Sequence, residues 1–210
     1  MLVGAAIGFV FVCALLVLWW RFAPKTSAPA TAPQPQNVVT YSTNAPSEEP
    51  ATAQTYRSSA TGDQPKYMRL PTIHAEGYIE AVGLDQHGAV AVPSNINLAG
   101  WYVNTLTPGQ NGLSVIDGHV NGQKLPGVFA DLAKLAAEDT FEVELANGII
   151  EHFTVKSVNQ VPADTAATTL FSRDNSIFSQ LNLITCGGDF DHAKGVYRDR
   201  IIVVAALQNH

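Results

Sequence analysis

From Tyr67 to the C terminus the sequence is cut into short β-rich runs by turn residues recurring about every ten positions, the pattern of a sandwich or barrel. The runs cover residues 67–73, 77–82, 89–92, 112–117, 140–145, 149–158, 181–185 and 198–206. Asn147-Gly148 lies between an apolar run (Phe141, Val143, Leu145) and an alternating segment (Ile149, Glu151, Phe153, Val155), which is a strong hairpin signal. Phe129, Leu132 and Leu135 predict one short helix, and Asp174 can cap another through Phe178 and Leu181. A mainly β domain with small helices in its connections follows. Its roughly 145 residues, 66–210, suffice to bury a core without a metal or disulfide scaffold.

Composition excludes several classes. With 46% apolar and 14% charged residues, the 210-residue chain is neither mainly disordered nor fibrous. A net charge of −6, with 12 Lys and Arg scattered singly, gives no footprint for a phosphate backbone, so no nucleic-acid partner is expected.

Residues 1–22 predict a transmembrane signal anchor. Met1 to Trp20 carry no charge, about 20 helical residues span a bilayer core, and Trp19, Trp20 and Arg21 close the run as an interfacial anchor does. A cleavable signal peptide is the rival reading, since Ala28-Pro29-Ala30 resembles a cleavage site, but the apolar run is long and lacks a basic leader. Arg21 and Lys25 after the helix argue weakly for a cytoplasmic C terminus; an extracytoplasmic domain is nonetheless the expectation. Residues 23–65 hold seven of the 12 prolines with much Ala, Thr, Ser and Gln, and predict a disordered tether.

Of the two cysteines, Cys13 lies in the apolar run, leaving Cys186 a free thiol at the end of a strand and just before Gly187-Gly188. A buried structural cysteine is one reading. The other is chemical, because a second strand, Leu113 to Ile116, ends in Asp117-Gly118-His119. A thiol and an imidazole are each poorly suited alone at neutral pH; paired, they supply a thiolate nucleophile and a general acid. His119 read alone is equally a hydrogen-bonded turn histidine, and His74, His87, His152, His192 and His210 have no comparable setting. Arg198 and Arg200 share one strand face, from which a guanidinium can hold a developing oxyanion or form surface ion pairs with Asp189, Asp191 or Asp199.

These residues carry a resemblance. Residues 70–207 resemble a sortase, a cysteine transpeptidase, and most nearly its class F and class E branches. Leu183-Ile184-Thr185-Cys186 fits most of the TLxTC signature, and Ile116 to Val120 resembles the catalytic-histidine segment. Cys186-Gly187-Gly188 with Tyr197-Arg198-Asp199 resembles the class F pattern CGG…YRDN, as do Gly83-Leu84-Asp85, Val92-Pro93 and Gly100-Trp101-Tyr102. Asn182 stands where the signature has Thr, and Arg200 where class F often has Asn.

The resemblance implies a closed eight-stranded barrel as the catalytic domain, residues 66–210. It implies Cys186 as nucleophile, His119 as acid and base, and Arg200, with Arg198 as the alternative, as the arginine. Ile184, Thr185 and Arg198 are expected to bind substrate, helped by the connection 159–171. The implied substrates are surface proteins with a C-terminal LPXTG-like sorting signal, cut between Thr and Gly and passed to a peptidoglycan precursor, another amine or water. No cofactor is implied, and Cys186, His192 and Asp189 or Asp191 make no recognised zinc pattern. Two other classes stay open: a tethered cysteine endopeptidase or L,D-transpeptidase acting on peptidoglycan, and a non-catalytic barrel that binds a partner.

Overall fold

The computed structural model describes residues 38–43 and 45–208. Its strands are β1 (Val38–Val39), β2 (Pro65–Leu70), β3 (Ala75–Val82), β4 (Ala99–Tyr102), β5 (Gly112–Gly118), β6 (Thr140–Leu145), β7 (Ile150–Pro162), β8 (Ser179–Asp191) and β9 (Val196–Leu207), with one short helix, α1 (Ala166–Leu170), before β8. The strand order β3-β2-β6-β7-β9-β8-β5-β4 closes on itself through the parallel β3–β4 pair, giving the eight-stranded barrel that the resemblance implies; β1 adds to β3 beyond the end of β2. Closure leaves the barrel strands few free edges.

Alternation builds the core. In β6 every second side chain is buried, and Phe141 pairs in register with Phe153 of β7, their rings stacked with centroids 5.5 Å apart. Both are 1% exposed or less, and each such ring contributes about 1.5–3 kcal/mol by leaving water. The hairpin between them is a three-residue loop. Gly148 N–H donates to Leu145 O, Leu145 N–H to Ile149 O, and Gly148 takes the left-handed φ of 87° that a type I turn with a bulge requires.

Several expectations differ from the fold. The run 89–92 is not a strand, and Val90 makes only an isolated bridge to Leu84. β3 and β4 are parallel, so no tight hairpin can join them, and residues 83–98 must travel back along the barrel. β4 itself was not expected: all four of its residues are buried, so it shows no alternation. The helix predicted from Asp174 does not form. Asp174 instead accepts the backbone N–H of Ser176, β8 begins at Ser179, and Phe178 is 61% exposed with no apolar face to join. The helix predicted near Leu132 is a single 3-10 turn, Leu132–Lys134.

The predicted anchor at 1–22 lies outside the described residues, and among those described no helix is long and apolar enough to cross a membrane. The predicted tether is described only from residue 38, and there it lies against the barrel. Val38 and Val39 pair with Ala81 and Val82, Ser47 exchanges backbone hydrogen bonds with Ser94 and Ile96, and Asn95 and Asn97 side chains donate to Glu49 O. Main-chain pairing orders a segment whose composition lacks a core face.

Candidate active site

The side chains of Leu181 and Leu183 in β8, Ile201 and Val203 in β9 and Ile116 in β5 enter the barrel core. Their neighbours therefore face outward: Asn182, Ile184 and Cys186 on β8, Arg200 and Ile202 on β9, Val115 and Asp117 on β5. A second apolar cluster forms on this outer face, where Val115 and Ile202 meet Ala166 and Leu170 of α1. Beside it runs a groove of about 590 Å³ lined by Cys186, Arg200, Ile184 and Asp117, by Tyr102, by α1 and by the returning segment from Leu84 to Val92.

Register brings two of the predicted residues together and directs the strand end that carries the third toward them. Cys186 pairs directly with Arg200 across β8 and β9. β5 and β8 run parallel with Asp117 opposite Ile184, so the end of β5, which leads into His119, lies on the side of β8 that carries Cys186. Thr185 fixes that end of the ladder, its Oγ1 donating to Gly118 O at 2.7 Å. Thr185, expected to bind substrate, lies among the groove residues, and its hydroxyl is committed to the strand end that leads into His119.

The two arginines separate. Arg200 lines the groove, and its Nη1 donates to Asp199 O at 2.8 Å and to Tyr197 O at 3.1 Å, which braces the guanidinium while Nε and Nη2 keep their donors. Arg198, expected as a substrate-binding residue and alternative arginine, has a side chain 64% exposed, pairs with Asp191 at 3.5 Å and is not among the groove residues. Asp191 also accepts the backbone N–H of Ala193 and of Lys194, closing the β8–β9 turn. Among the described residues no three His, Cys, Asp or Glu side chains gather as a metal site.

The Gly187-Gly188 pair has a steric cause. A Cβ at Gly187 would strike Ile201, and at Gly188, where φ is 69°, it would strike the Asp199 carboxylate that Gln160 holds with a 2.6 Å hydrogen bond. The irregular pairing this produces, between Gly187 and Phe190, follows Cys186 by one residue.

Electrostatics leave the resting pair neutral. Burial pushes the Cys186 thiol up, opposed by the Arg200 guanidinium and reinforced by Asp117. Burial pushes the His119 imidazole down, opposed by its contact with Pro93. That contact is a 2.8 Å hydrogen bond from Nε2 to Pro93 O. A carbonyl only accepts, so Nε2 carries the proton and Nδ1 is the nitrogen that can take one up.

The connection 159–171 lines the groove as expected, through α1, whereas the sequence did not single out Pro93 as the partner of His119 or Asp117 as part of the groove wall. Only Asp117 left a trace, a carboxyl inside an apolar strand. Asn182, the departure from the family signature, is fully buried; its Nδ2 donates to Leu170 O at 2.7 Å and its Oδ1 accepts from Gln180 at 2.9 Å. It ties α1 to β8.

Solved structures with a similar fold include a lid mutant of sortase A from Corynebacterium diphtheriae, 22% identical, with a TM-score of 0.54 over 70% of each chain. Sortase C-1 from Actinomyces oris is 21% identical, with a TM-score of 0.53 over 69% of this chain and 72% of that one. The pilus-related sortase C of Group B Streptococcus is 19% identical, with a TM-score of 0.51 over 71% of this chain and 70% of that one. Among curated proteins none matches. The family model for the sortase domain matches residues 68–208, the barrel from within β2 onward, and the chain therefore belongs to the sortases, the cysteine transpeptidases that anchor proteins to the cell wall.

Proposed function

We propose that this sortase acts on surface proteins bearing an LPXTG-like signal, cleaving between Thr and Gly. Cys186 transfers its proton to His119, and the thiolate adds to the threonyl carbonyl. Arg200 donates to the resulting oxyanion, a role worth roughly 3–4 kcal/mol of barrier when the donor is preorganised. The C–N bond breaks as His119 returns the proton to the departing glycyl amine, leaving a thioester on Cys186. An amine then adds to the thioester, His119 takes its proton, and the Cys186 thiolate leaves; water in place of the amine gives hydrolysis. The amine belongs to a peptidoglycan precursor or another cell-surface acceptor.

The observation that carries this reading is the direct pairing of Cys186 with Arg200 on the wall of a groove with apolar lining, next to the strand end that leads into His119. Ile184, Tyr102 and Leu170 offer a bound peptide apolar contacts. The class F assignment, with class E features, rests on the CGG and YRD segments. Residues 1–22 anchor the chain in the membrane with the catalytic domain outside the cytoplasm, and residues 23–37 serve as the tether. The test is product analysis of the protein incubated with an LPXTG-like peptide and an amine such as triglycine. Cleavage after Thr with a new Thr-to-amine bond supports the reading; an intact peptide alongside cleaved peptidoglycan fragments contradicts it.

A further inference from the structure

One carboxyl in the groove wall has no part in the steps above. Asp117 is 8% exposed and borders the groove between Gly100 of β4, its register partner, and Ile184 of β8. Gly100 is opposite Glu80 of β3 on its other side, so two outward carboxyl side chains flank a residue with none. A Cβ at Gly100 would collide with Asp117 Oδ1, with Val82 and with Pro93. The Asp117 carboxyl thus lies over bare backbone, in a position open to it only because residue 100 is glycine.

The two carboxyl groups differ in their partners. Glu80 accepts the backbone N–H of Ser94 and a 3.2 Å hydrogen bond from its hydroxyl. Asp117 Oδ1 is buried and has no hydrogen-bond partner among the described residues. Leaving a buried polar atom unpaired costs about 1–3 kcal/mol. Asp117 borders the groove, and a side-chain rotation short of a half-turn swings the open acceptor away from Gly100 toward a ligand lying in the groove. Around it the groove is apolar, with Val92, Tyr102 and Ile184. Burial pushes the carboxyl well above the usual range, with the Glu80 charge adding to the rise, and this favours a partner that donates a hydrogen bond over one that needs a full negative charge.

We infer that Asp117 is a specificity residue: it accepts a hydrogen bond from a hydroxyl-bearing or amide-bearing side chain of the peptide in the groove and disfavours a peptide with an aliphatic side chain at that place. A site that hydrogen-bonds its substrate discriminates against an analogue lacking the donor, because its own buried group is then left unpaired.

This inference rests on the peptide-cleaving reading above, and the test separates the two. LPXTG-like fluorogenic peptides are prepared in which each position before the scissile bond is in turn Thr or Val, Asn or Leu, and Lys. If none forms a thioester on Cys186, the parent reading fails. If thioesters form, the wild-type protein is expected to prefer the Thr or Asn peptide by about tenfold or more in kcat/KM at one position. Asp117→Asn retains that preference, because it keeps the acceptor oxygen; Asp117→Ala loses it through a higher KM at that position alone. Equal rates for every wild-type Thr/Val and Asn/Leu pair overturn the inference even if the variants do not fold. So does an Asp117→Ala protein that keeps the preference, or a preference confined to Lys that Asp117→Asn abolishes.

Discussion

Replacing Asn182 by Ala should destabilise the protein and loosen the groove together. Asn182 is fully buried and serves as donor to Leu170 O at 2.7 Å and acceptor from Gln180 Nε2 at 2.9 Å. Gln180 in turn donates to Ser172 O and accepts the backbone N–H of Asp174, so one side chain links β8 to the whole connection that carries α1. Alanine leaves the Leu170 carbonyl and one Gln180 N–H buried and unpaired. At about 1–3 kcal/mol for each, the loss is about 2–6 kcal/mol, a substantial fraction of the roughly 5–15 kcal/mol that a domain of this kind possesses. α1 is only five residues long and owes its position to this bond and to the packing of Ala166 and Leu170. Its Leu170 and the following Phe171 line the groove, so KM should rise more than kcat falls. Asn182→Thr keeps a donor and loses the amide's second bond, and should cost about half as much. Urea unfolding at pH 7 supplies the stabilities, and peptide-cleavage kinetics supply the split between KM and kcat. An Asn182→Ala protein within about 0.5 kcal/mol of wild type, or one whose loss is entirely in kcat, refutes the reasoning.

The arginines give a sharp contrast. Arg200→Ala should lower kcat by about a hundredfold or more, whereas Arg198→Ala, which breaks only an exposed ion pair, should stay within about twofold; the reverse ranking in parallel peptide assays contradicts the assignment. The pH profile should be bell-shaped. The thiolate–imidazolium pair carries the same number of protons as the thiol–imidazole pair, so kcat/KM rises as pH passes the lowered His119 value and falls as it passes the raised Cys186 value. Because burial drives the two apart, the plateau should be wider than free groups would give, and a rate that keeps rising into alkaline solution contradicts the model.

Much of the barrel was legible because its strands alternate. β6 and β7 bury every second residue along their hairpin, so Phe141 and Phe153 announce the pairing from sequence alone. β4 escaped because a strand buried on both faces has no period, and 89–92 misled because a β-rich run says nothing of whether a partner edge is available. Residues 38–43 and 45–64 escaped for another reason: they are held by main-chain hydrogen bonds to Ser94, Ile96 and Gly83, which composition does not register. At the site, Cys186 and His119 stood out as reactive groups after apolar runs, although Cys186 lies within β8, which continues past the irregular pairing at Gly187 to Asp191. The choice between Arg198 and Arg200 needed register, because both lie on one face of β9 and only Arg200 sits across from the thiol.

The central claim is that Cys186 takes the acyl group of its substrate. Intact-protein mass spectrometry of the wild type quenched in acid after mixing with an LPXTG-like peptide should show one added mass equal to the peptide acyl fragment ending in Thr. It should map to Cys186, be discharged by hydroxylamine, and be absent from Cys186→Ala. Peptide cleavage that proceeds undiminished in Cys186→Ala, or an acyl adduct on any other residue, would contradict the account.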